Sequence, residues 1–326
     1  MGRSFRLLVV AVVAVFQCVG SATAQGWPTR PVTMVVAFPA GGSDDILGRI
    51  VAARLSELLG QPVIVENIDG AGGTTGTARV AKATPDGYRF VLGTSATHAL
   101  SQVLRRNPLY DSAADFAPVA LIAEQPFVLI ARKDMPANLR EFIAYARANE
   151  AKLQYGSAGE GSATHLVCAL LNAAAGIKAK HVPYNGGAPA LKDLVAGRID
   201  YFCPVVTIAI PQIDNKGVQA IAILTRNRAP ILPNLASASE QGLADFAAST
   251  WFAVFMPKGT SAPIVQKLNG AVVAAMETPS VRSRLKDIGA DMVAPERRSP
   301  DYLQRFLKGE IEKWAAAIKT ANIKVD

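Results

Sequence analysis

The chain is 326 residues long, half of its residues are hydrophobic, and its formal net charge is +8. Its lysines and arginines form no run with interleaved aromatic side chains, which excludes a nucleic-acid-binding protein. A chain of this length accommodates two lobes, and a mild excess of positive charge suits a protein that collects small anions.

The N-terminus has the layout of a secretory signal peptide. Arg3 and Arg6 precede an apolar stretch at 7–16, and the small residues 22–24 form a cleavage site. The apolar stretch is too short to cross a bilayer, which disfavours the alternative of a retained membrane anchor. We therefore predict a signal peptide over residues 1–24, cleavage after Ala24, and a mature chain that is exported to the periplasm.

Predicted strands and helices alternate along the mature chain. The apolar run 32–38 predicts a buried strand, residues 44–59 predict a helix that stops at Gly60, and a second strand follows at 62–67. Further strands are predicted at 88–95, at 116–134 in two parts broken at Pro126, at 217–225 and at 249–259, and further helices at 141–149, 262–277 and 300–321. This alternation predicts an α/β protein with largely parallel sheets.

One sequence pattern occurs twice along the chain. Residues 38–50 and 155–170 each read as a strand, a glycine-rich turn and a helix start. Because α/β proteins bind ligands outside the carboxyl ends of parallel strands, two such turns in two lobes predict a ligand held between them. The alternative is a pair of ordinary capped turns without a ligand, which would be favoured for one isolated turn.

Neither turn has the sequence of a nucleotide-binding loop. A P-loop has Lys and Ser or Thr after its second glycine, whereas the glycines 41–42 are followed by Ser43, Asp44 and Asp45. A helix N-terminus still offers free N–H groups and a partial positive charge, which suit a carboxylate. We predict Ser43 and Ser162 as N-caps, and we predict that Asp44 and Asp45 point away from the ligand and brace the loop.

The sequence carries no recognisable catalytic or metal-binding pattern. A nucleophile elbow is absent, so we expect neither enzyme activity nor a cofactor. His165 and His181 with Cys168 and Cys203 follow no zinc-ligand spacing, so no metal site is expected. The two cysteines can pair in an oxidising compartment or remain two separately buried thiols, and the second arrangement is favoured.

Two histidines stand at equivalent places in the two halves. His98 and His165 each end the sequence Ser-Ala-Thr-His at the start of a predicted helix. We predict that both imidazoles donate hydrogen bonds into the cleft. The alternative is that they are structural histidines whose hydrogen bonds are made inside the protein.

Seven segments identify a family. They are "FPAGGSDDI" (38–46), "ENIDGAGG" (66–73), "PDGY" (85–88), "GTSATHA" (93–99), "GSAGEGSATHL" (156–166), "HVPYNGGAPAL" (181–191) and "STWFAVFMPKGTSAPIVQKLN" (249–269). Behind a signal peptide and in this order, the chain resembles the Bug-type (TctC-like) solute receptors of tripartite tricarboxylate transporters. The resemblance implies a type 2 periplasmic-binding (Venus flytrap) fold, with two α/β lobes of mainly parallel sheets and a ligand cleft between them. Lobe 1 would comprise 25–122 plus 249–326, and lobe 2 would comprise 123–248.

The resemblance also implies a set of ligand-binding residues and partners. The first-lobe set is Pro39, Ala40, Gly41, Gly42, Asp45, Thr94, Ser95, Thr97 and His98, and the second-lobe set is Ser157, Ala158, Gly159, Gly161, Ser162, Thr164, His165 and Tyr184. The implied receptor is monomeric, binds a small organic acid and works with integral membrane transporter subunits. A sensory receptor that acts on a membrane kinase and an exported α/β enzyme for organic acids are the alternatives.

The chain departs from the usual family pattern at two places beside the cleft. Asn185 stands where Lys usually follows Val-Pro-Tyr, and Pro204 and Val205 stand where Asp-Asn often occurs. A buried ammonium group needs an acid or several carbonyls, so we predict a dicarboxylate or an aromatic acid as ligand rather than an amino acid. An Asp45 side chain that faced the cleft would overturn this prediction.

Overall fold

The computed structural model describes residues 26–244 and 246–320. The predicted signal peptide and its cleavage site lie outside the described residues. None of the helices described there is both long and apolar enough to cross a membrane.

The strands of the described residues form two sheets. They are β1 (Val32–Val36), β2 (Val63–Asn67), β3 (Arg89–Thr94), β4 (Phe116–Pro126), β5 (Val128–Ala131), β6 (Gln154–Ser157), β7 (Lys180–Pro183), β8 (Tyr201–Phe202), β9 (Gln219–Ile223), β10 (Ser249–Pro257) and β11 (Asp291–Met292). The first sheet has the strand order β11-β4-β10-β3-β1-β2, and the second has the order β7-β6-β8-β5-β9. The chain enters the second sheet just after Pro126, where the sequence analysis predicts a break between two strands.

Both sheets are mixed. In the first sheet β1 runs parallel to β2 and β3, whereas β10 is antiparallel to β3 and β4. In the second sheet β6 runs parallel to β7 and β8, whereas β5 is antiparallel to β8 and β9. The predicted α/β two-lobe fold is confirmed. The sheets are less parallel than expected because β10 and β11 of the first sheet, and β5 of the second, run opposite to the other strands of their sheets.

The helices cover both sheets. They are α1 (Ser43–Leu59), α2 (Thr74–Ala81), α3 (Leu139–Ala148), α4 (Ala163–Ala175), α5 (Gly187–Val195), α6 (Val206–Asp214), α7 (Ala262–Glu277), α8 (Pro279–Asp287) and α9 (Pro300–Thr320). A π-helical segment, Ser95–Leu100, continues as the short helix Ser101–Val103, and 3-10 turns occupy Ala71–Gly73 and Pro295–Arg297. The helix α7 matches the prediction in both bounds, whereas α8, which begins at a proline, is not predicted.

The first binding turn is held by a well-packed layer of helices on the first sheet. Leu47 and Leu55 of α1 pack with Leu268 of α7 and Phe252 of β10 in one buried cluster. Burying one such side chain contributes about 2 kcal/mol relative to leaving it in water. Because β1 and α1 are both fixed in this way, the turn between them has a defined position.

A disulfide bond holds part of the second lobe. Cys168 of α4 is bonded to Cys203, which follows β8, and their Cα atoms are 5.5 Å apart. The favoured expectation of two separate thiols is therefore wrong. The bond ties α4, whose N-terminus forms the second glycine turn, to the neighbouring strand.

Candidate functional site

The first turn connects β1 to α1. Gly41 has a φ of +81°, which glycine adopts without strain, and the Gly42 N–H donates to the Pro39 carbonyl at 3.4 Å. Gly42 is the N-cap of α1 and offers no side chain, so the prediction of Ser43 as N-cap is wrong. The Ser43 hydroxyl donates instead to Asp44 at 3.2 Å. No capping side chain therefore occupies this helix start, and its first N–H groups can donate to a ligand.

Asp45 braces this turn. Its Oδ2 accepts hydrogen bonds from the Gly41 N–H at 3.0 Å and from Arg49 Nε at 2.9 Å, and its Oδ1 accepts from the Asn67 amide at 3.0 Å. Burial on its own raises the pKa of Asp45, but the hydrogen bonds from Arg49, Gly41 and Asn67 outweigh it and hold the pKa below its usual value. These contacts confirm the predicted brace. They also place the Asp45 carboxylate outside the cleft lining, contrary to its inclusion among the ligand contacts.

Asp44 does not share the bracing role of Asp45 that the sequence predicted for both residues. Asp44 is among the residues that line the cleft. Burial raises the pKa of Asp44 to about 6, against the hydrogen bonds from Ser43 and from its own N–H, and the charge of Asp45 adds to the rise. An acid with this pKa exchanges its proton in the mildly acidic range.

The second turn connects β6 to α4. Ser162 is the N-cap of α4, and its hydroxyl accepts a hydrogen bond from the His165 N–H at 3.3 Å, as predicted. The Thr164 hydroxyl accepts from the Ala158 N–H at 2.8 Å and lies 3.0 Å from the Ser162 hydroxyl. Both hydroxyls line the cleft, so this turn offers side-chain donors where the first turn offers backbone N–H groups.

The two turns face one another across a cleft of about 610 Å³, part of it open to solvent. Of the predicted site residues, those that line it are Pro39, Ala40, Gly42, Thr94, Ala158, Ser162 and Thr164. The other lining residues were not predicted from the sequence; they are Phe38, Ser43, Asp44, Ala96, Phe127, Ala163, Gly186, Gly187, Ala188, Pro189, Val205, Ile208, Thr250 and Phe252. Among the described residues that line the cleft, Asp44 alone carries a charge, and carbon atoms make up most of the surface.

Glycines let the two lobes touch at the edge of this cleft. A Cβ atom at Gly72 would lie 2.8 Å from the Glu160 carbonyl oxygen, and one at Gly186 would lie 3.0 Å from Cγ of Pro39. Real Cβ atoms do not tolerate the first of these distances, and both glycines have positive φ angles, +67° and +113°. The turns of the two lobes are therefore in contact, and the structure represents a closed arrangement.

Three predicted residues of the first lobe belong to its core. Ser95, Thr97 and His98 are fully buried and do not line the cleft. The His98 ring stacks on Phe255 with ring centroids 4.0 Å apart, and its Nδ1 lies 2.9 Å from Thr97 Oγ1. Burial lowers the pKa of His98 to about 3, so the ring is neutral. The prediction that His98 donates into the cleft is wrong, because its imidazole is packed inside the protein.

His165 also lies behind the cleft lining. The Gly161 N–H donates to its Nδ1 at 3.3 Å, and its ring stacks on His181 with centroids 3.9 Å apart. Burial lowers the pKa of His165 although the charge of Glu160 opposes the shift, and burial together with His165 lowers the pKa of His181 to about 4. The prediction that His165 donates into the cleft is therefore wrong as well.

The other predicted site residues also lie outside the main lining; they are Gly41, Ser157, Gly159, Gly161 and Tyr184. Gly159 and Tyr184 line a neighbouring space of about 630 Å³ between the lobes, part of it open to solvent. The Tyr184 hydroxyl donates to Asp193 at 2.8 Å, and the Ser157 hydroxyl donates to the Gly159 carbonyl at 3.1 Å. These residues shape the second turn and the space next to it.

Two α/β lobes that meet across a cleft of this kind are the architecture of solute-binding proteins. Residues 47–323 match the model of the tripartite tricarboxylate transporter family receptors, and the chain belongs to that family. It is 40% identical over 299 residues to a protein encoded in the TAR-I ttuE-ttuC' intergenic region of Agrobacterium vitis, covering 90% of this chain and 85% of that one. It is 31% identical over 323 residues to BugT of Bordetella pertussis, covering 97% and 98% of the two chains.

Solved structures agree with this assignment. The periplasmic binding protein BugD has a TM-score of 0.88 at 36% identity, with 91% of this chain and 99% of that chain covered. MatC from Rhodopseudomonas palustris with bound malate has a TM-score of 0.86 at 39% identity, with 90% and 100% covered. Another R. palustris protein, solved with adipate, has a TM-score of 0.87 at 37% identity, with 91% and 99% covered. The protein is a solute receptor of a periplasmic family and not an enzyme.

Proposed function

We propose that the protein captures a small organic carboxylate in the periplasm and delivers it to the membrane subunits of a tripartite tricarboxylate-type transporter. The observation that carries this proposal is the pair of helix starts, at Gly42 and Ser162, that face one cleft from two lobes. Helix N-termini bind anions through free N–H groups and a partial positive charge. Because no basic side chain among the described lining residues neutralises the ligand, affinity rests on these donors and on closure of the lobes.

We infer that the ligand is a dicarboxylate or an aromatic acid. Phe38, Phe127, Ile208 and Phe252 give the cleft an apolar surface that suits a hydrocarbon body. Val205, one of the two residues that replace the usual Asp-Asn, lies in the same lining. The related structures solved with malate and with adipate support a ligand with two carboxyl groups.

We further infer that ligand binding is coupled to a proton at Asp44. Two ionised carboxylates side by side in a cleft repel one another, whereas a protonated Asp44 donates a hydrogen bond to the ligand. The pKa of about 6 makes protonation of Asp44 accessible. A carboxylate ligand should therefore bind more tightly as the pH falls through about 6. An amino acid whose ammonium pairs with ionised Asp44 should show the opposite dependence.

The proposal also covers signal-peptide cleavage, oligomeric state and lobe boundaries. We propose that the signal peptide is cleaved after Ala24 and that the mature protein is a monomer. We also propose the lobe boundaries predicted from the sequence, 25–122 with 249–326 and 123–248. The division of the strands between two sheets supports this arrangement, except that β4 stays in the first sheet up to Pro126, a few residues beyond the proposed boundary.

A thermal-shift panel tests the ligand class. The ligands are C4 to C6 dicarboxylates, citrate, benzoate, terephthalate, aspartate and glutamate, each at pH 5.5 and pH 7.5. A ligand at a hundred times its Kd adds about 2.7 kcal/mol of stability, which is a melting shift of roughly 4–5 °C for a chain of about 300 residues. We expect the largest shift with a plain dicarboxylate or an aromatic acid, and a larger shift at pH 5.5.

A matched pair of variants links the shift to the cleft. Ala158→Phe fills the cleft and should abolish the shift, whereas Ala151→Phe, at an exposed position away from it, should leave the shift unchanged. Uptake of the best ligand should be lost in cells that lack either the receptor or its membrane subunits. A shift confined to aspartate or glutamate, or uptake that does not need the receptor, would contradict the proposal.

A further inference from the structure

Three side chains that commonly bind metal ions meet beside the second turn. They are Glu160 in the turn itself, His165 in α4 and His181 in β7. One carboxylate oxygen and two imidazole nitrogens from these residues lie within 4.8 Å of one another. The two imidazoles stand on a helix and a strand, and Glu160 is 65% exposed, so its side chain can adjust to an ion.

The distances from Glu160 to the two histidines are close to those between the ligands of a tetrahedral ion. With bonds of about 2.0–2.1 Å to nitrogen, the ligand atoms around zinc are about 3.4 Å apart. The Glu160 oxygens lie 3.6 Å from Nδ1 of His165 and 3.2 Å from Nδ1 of His181. The two rings are stacked at 12°, and a metal ion lies in the plane of each imidazole that binds it, so one ring has to turn when an ion binds.

The hydrogen bonds indicate that Nδ1 is unprotonated in both histidines. The Gly161 N–H donates to Nδ1 of His165 at 3.3 Å, so a metal ion bound to this nitrogen would replace that long hydrogen bond. His181 Nε2 lies 2.7 Å from the Ser157 hydroxyl, and an Nε2–H that donates there leaves the lone pair on Nδ1, facing Glu160. Metal-binding histidines typically hold their second nitrogen in a hydrogen bond of this kind. Burial lowers the pKa of both histidines, so both are neutral at pH 7.

We propose that Glu160, His165 and His181 form a binding site for a divalent transition-metal ion, with zinc as the best match. Zinc takes two imidazoles and one carboxylate together with a water molecule, whereas Mg²⁺ and Ca²⁺ prefer oxygen ligands alone. The two cysteines that stand near these histidines in the sequence are paired in a disulfide, and Glu160 takes their place as the third ligand. A metal ion here stabilises the second turn, because Glu160 belongs to that turn. This proposal does not depend on the identity of the carboxylate ligand.

Calorimetric titration with zinc chloride tests the site. The mature protein is purified without a histidine tag and freed of metal with a chelator that is then removed. We expect one Zn²⁺ per chain, with binding that excess Mg²⁺ does not compete away. Glu160→Gln and His181→Gln should each weaken binding by at least about tenfold, the size of effect that metal-site mutations usually have. Glu312→Gln, which removes an exposed carboxylate on α9, is the matched control and should bind as the wild type does.

Cobalt provides a second readout. Co²⁺ held by two imidazoles and a carboxylate in a tetrahedral site has a strong visible absorption, and this absorption should be lost in Glu160→Gln. Because Glu160 is exposed, its substitution tests the site even if His181→Gln reduces stability. Zinc binding that is absent, that equals wild type in both variants, or that Mg²⁺ displaces would overturn the proposal.

Discussion

Replacing Asp44 by Asn should stabilise the protein at pH 7, whereas the same change at Asp45 should destabilise it. Burial raises the pKa of Asp44 from 3.8 to about 6, so the folded protein carries an unfavourable charge when this carboxyl is ionised. One pKa unit corresponds to about 1.4 kcal/mol, so ionised Asp44 costs about 3 kcal/mol at pH 7. Opening of the cleft hydrates the carboxylate and relieves part of this cost, and we expect a gain of about 1–3 kcal/mol from Asp44→Asn.

The sign of the pH dependence follows from the two pKa shifts. Below pH 3.8 Asp44 is protonated in both the folded and the unfolded chain, so ionised Asp44 does not destabilise the fold. The free-energy cost of its ionisation develops as the pH rises and is fully present above about 6. Asp45 has a lowered pKa. It therefore contributes stability above the usual carboxyl pKa and loses it as the pH falls through its lowered folded-state pKa. Loss of its charge-assisted hydrogen bonds should cost about 2 kcal/mol.

Urea unfolding followed by far-UV circular dichroism measures both variants at pH 7 and pH 5. The gain from Asp44→Asn should fall to about half at pH 5, and the slope of the unfolding free energy with urea should be the same in all three proteins. Each variant serves as the control for the other, because the substitution is the same at adjacent positions. If both variants shift the midpoint in one direction, the assignment of Asp44 to the cleft and Asp45 to the brace is incorrect.

Three further substitutions test other parts of the structure. Ser162→Ala removes the cap of α4 and should lower the unfolding free energy by about 1 kcal/mol; an unchanged urea midpoint would contradict the cap. Gly72→Ala places a methyl group 2.8 Å from the Glu160 carbonyl, so ligand should no longer reduce the radius of gyration measured by small-angle scattering. If closure proceeds as in the wild type, the contact is not limiting. Replacing Cys168 and Cys203 together by Ser opens a loop with a sequence separation of 35 residues. It should cost roughly 3–4 kcal/mol, and a reductant should destabilise the wild type to the same extent but leave this variant unaffected.

The strand–turn–helix units could be predicted because their signals are local. The apolar run of β1, the left-handed Gly60 at the end of α1 and the N-cap Ser162 all follow from residues close in sequence. The roles of Asp44 and Asp45 could not be told apart in this way. Adjacent residues on a helix point about 100° apart, and which of the two carboxylates turns inward depends on Arg49 and Asn67, the second of which lies 22 residues away from Asp45.

The roles of the two histidines and the contacts between the lobes could not be predicted from local sequence either. The repeated Ser-Ala-Thr-His pattern suggested two equivalent donors, but His98 stacks on Phe255 from β10, more than a hundred residues away in sequence. The start of α5 at Gly186 and Gly187 did carry a local signal, because it repeats the glycine-rich helix start of the other two turns. Its place in the cleft depends on the approach of the first lobe to the second, which no local pattern encodes.

The contacts of Gly72 and Gly186 with the opposite lobe also bear on which cargo is accepted. In the closed arrangement the lobes meet through main-chain atoms and a proline ring. These groups change conformation much less easily than long side chains do. The span between the two helix starts is therefore fixed from outside the cleft, independently of what occupies it. A molecule longer than this span holds the two contacts apart and can bind without completing closure. Closure limited in this way would select cargo by length as well as by charge, and a transporter that recognises only the closed surface would not accept the longer acids.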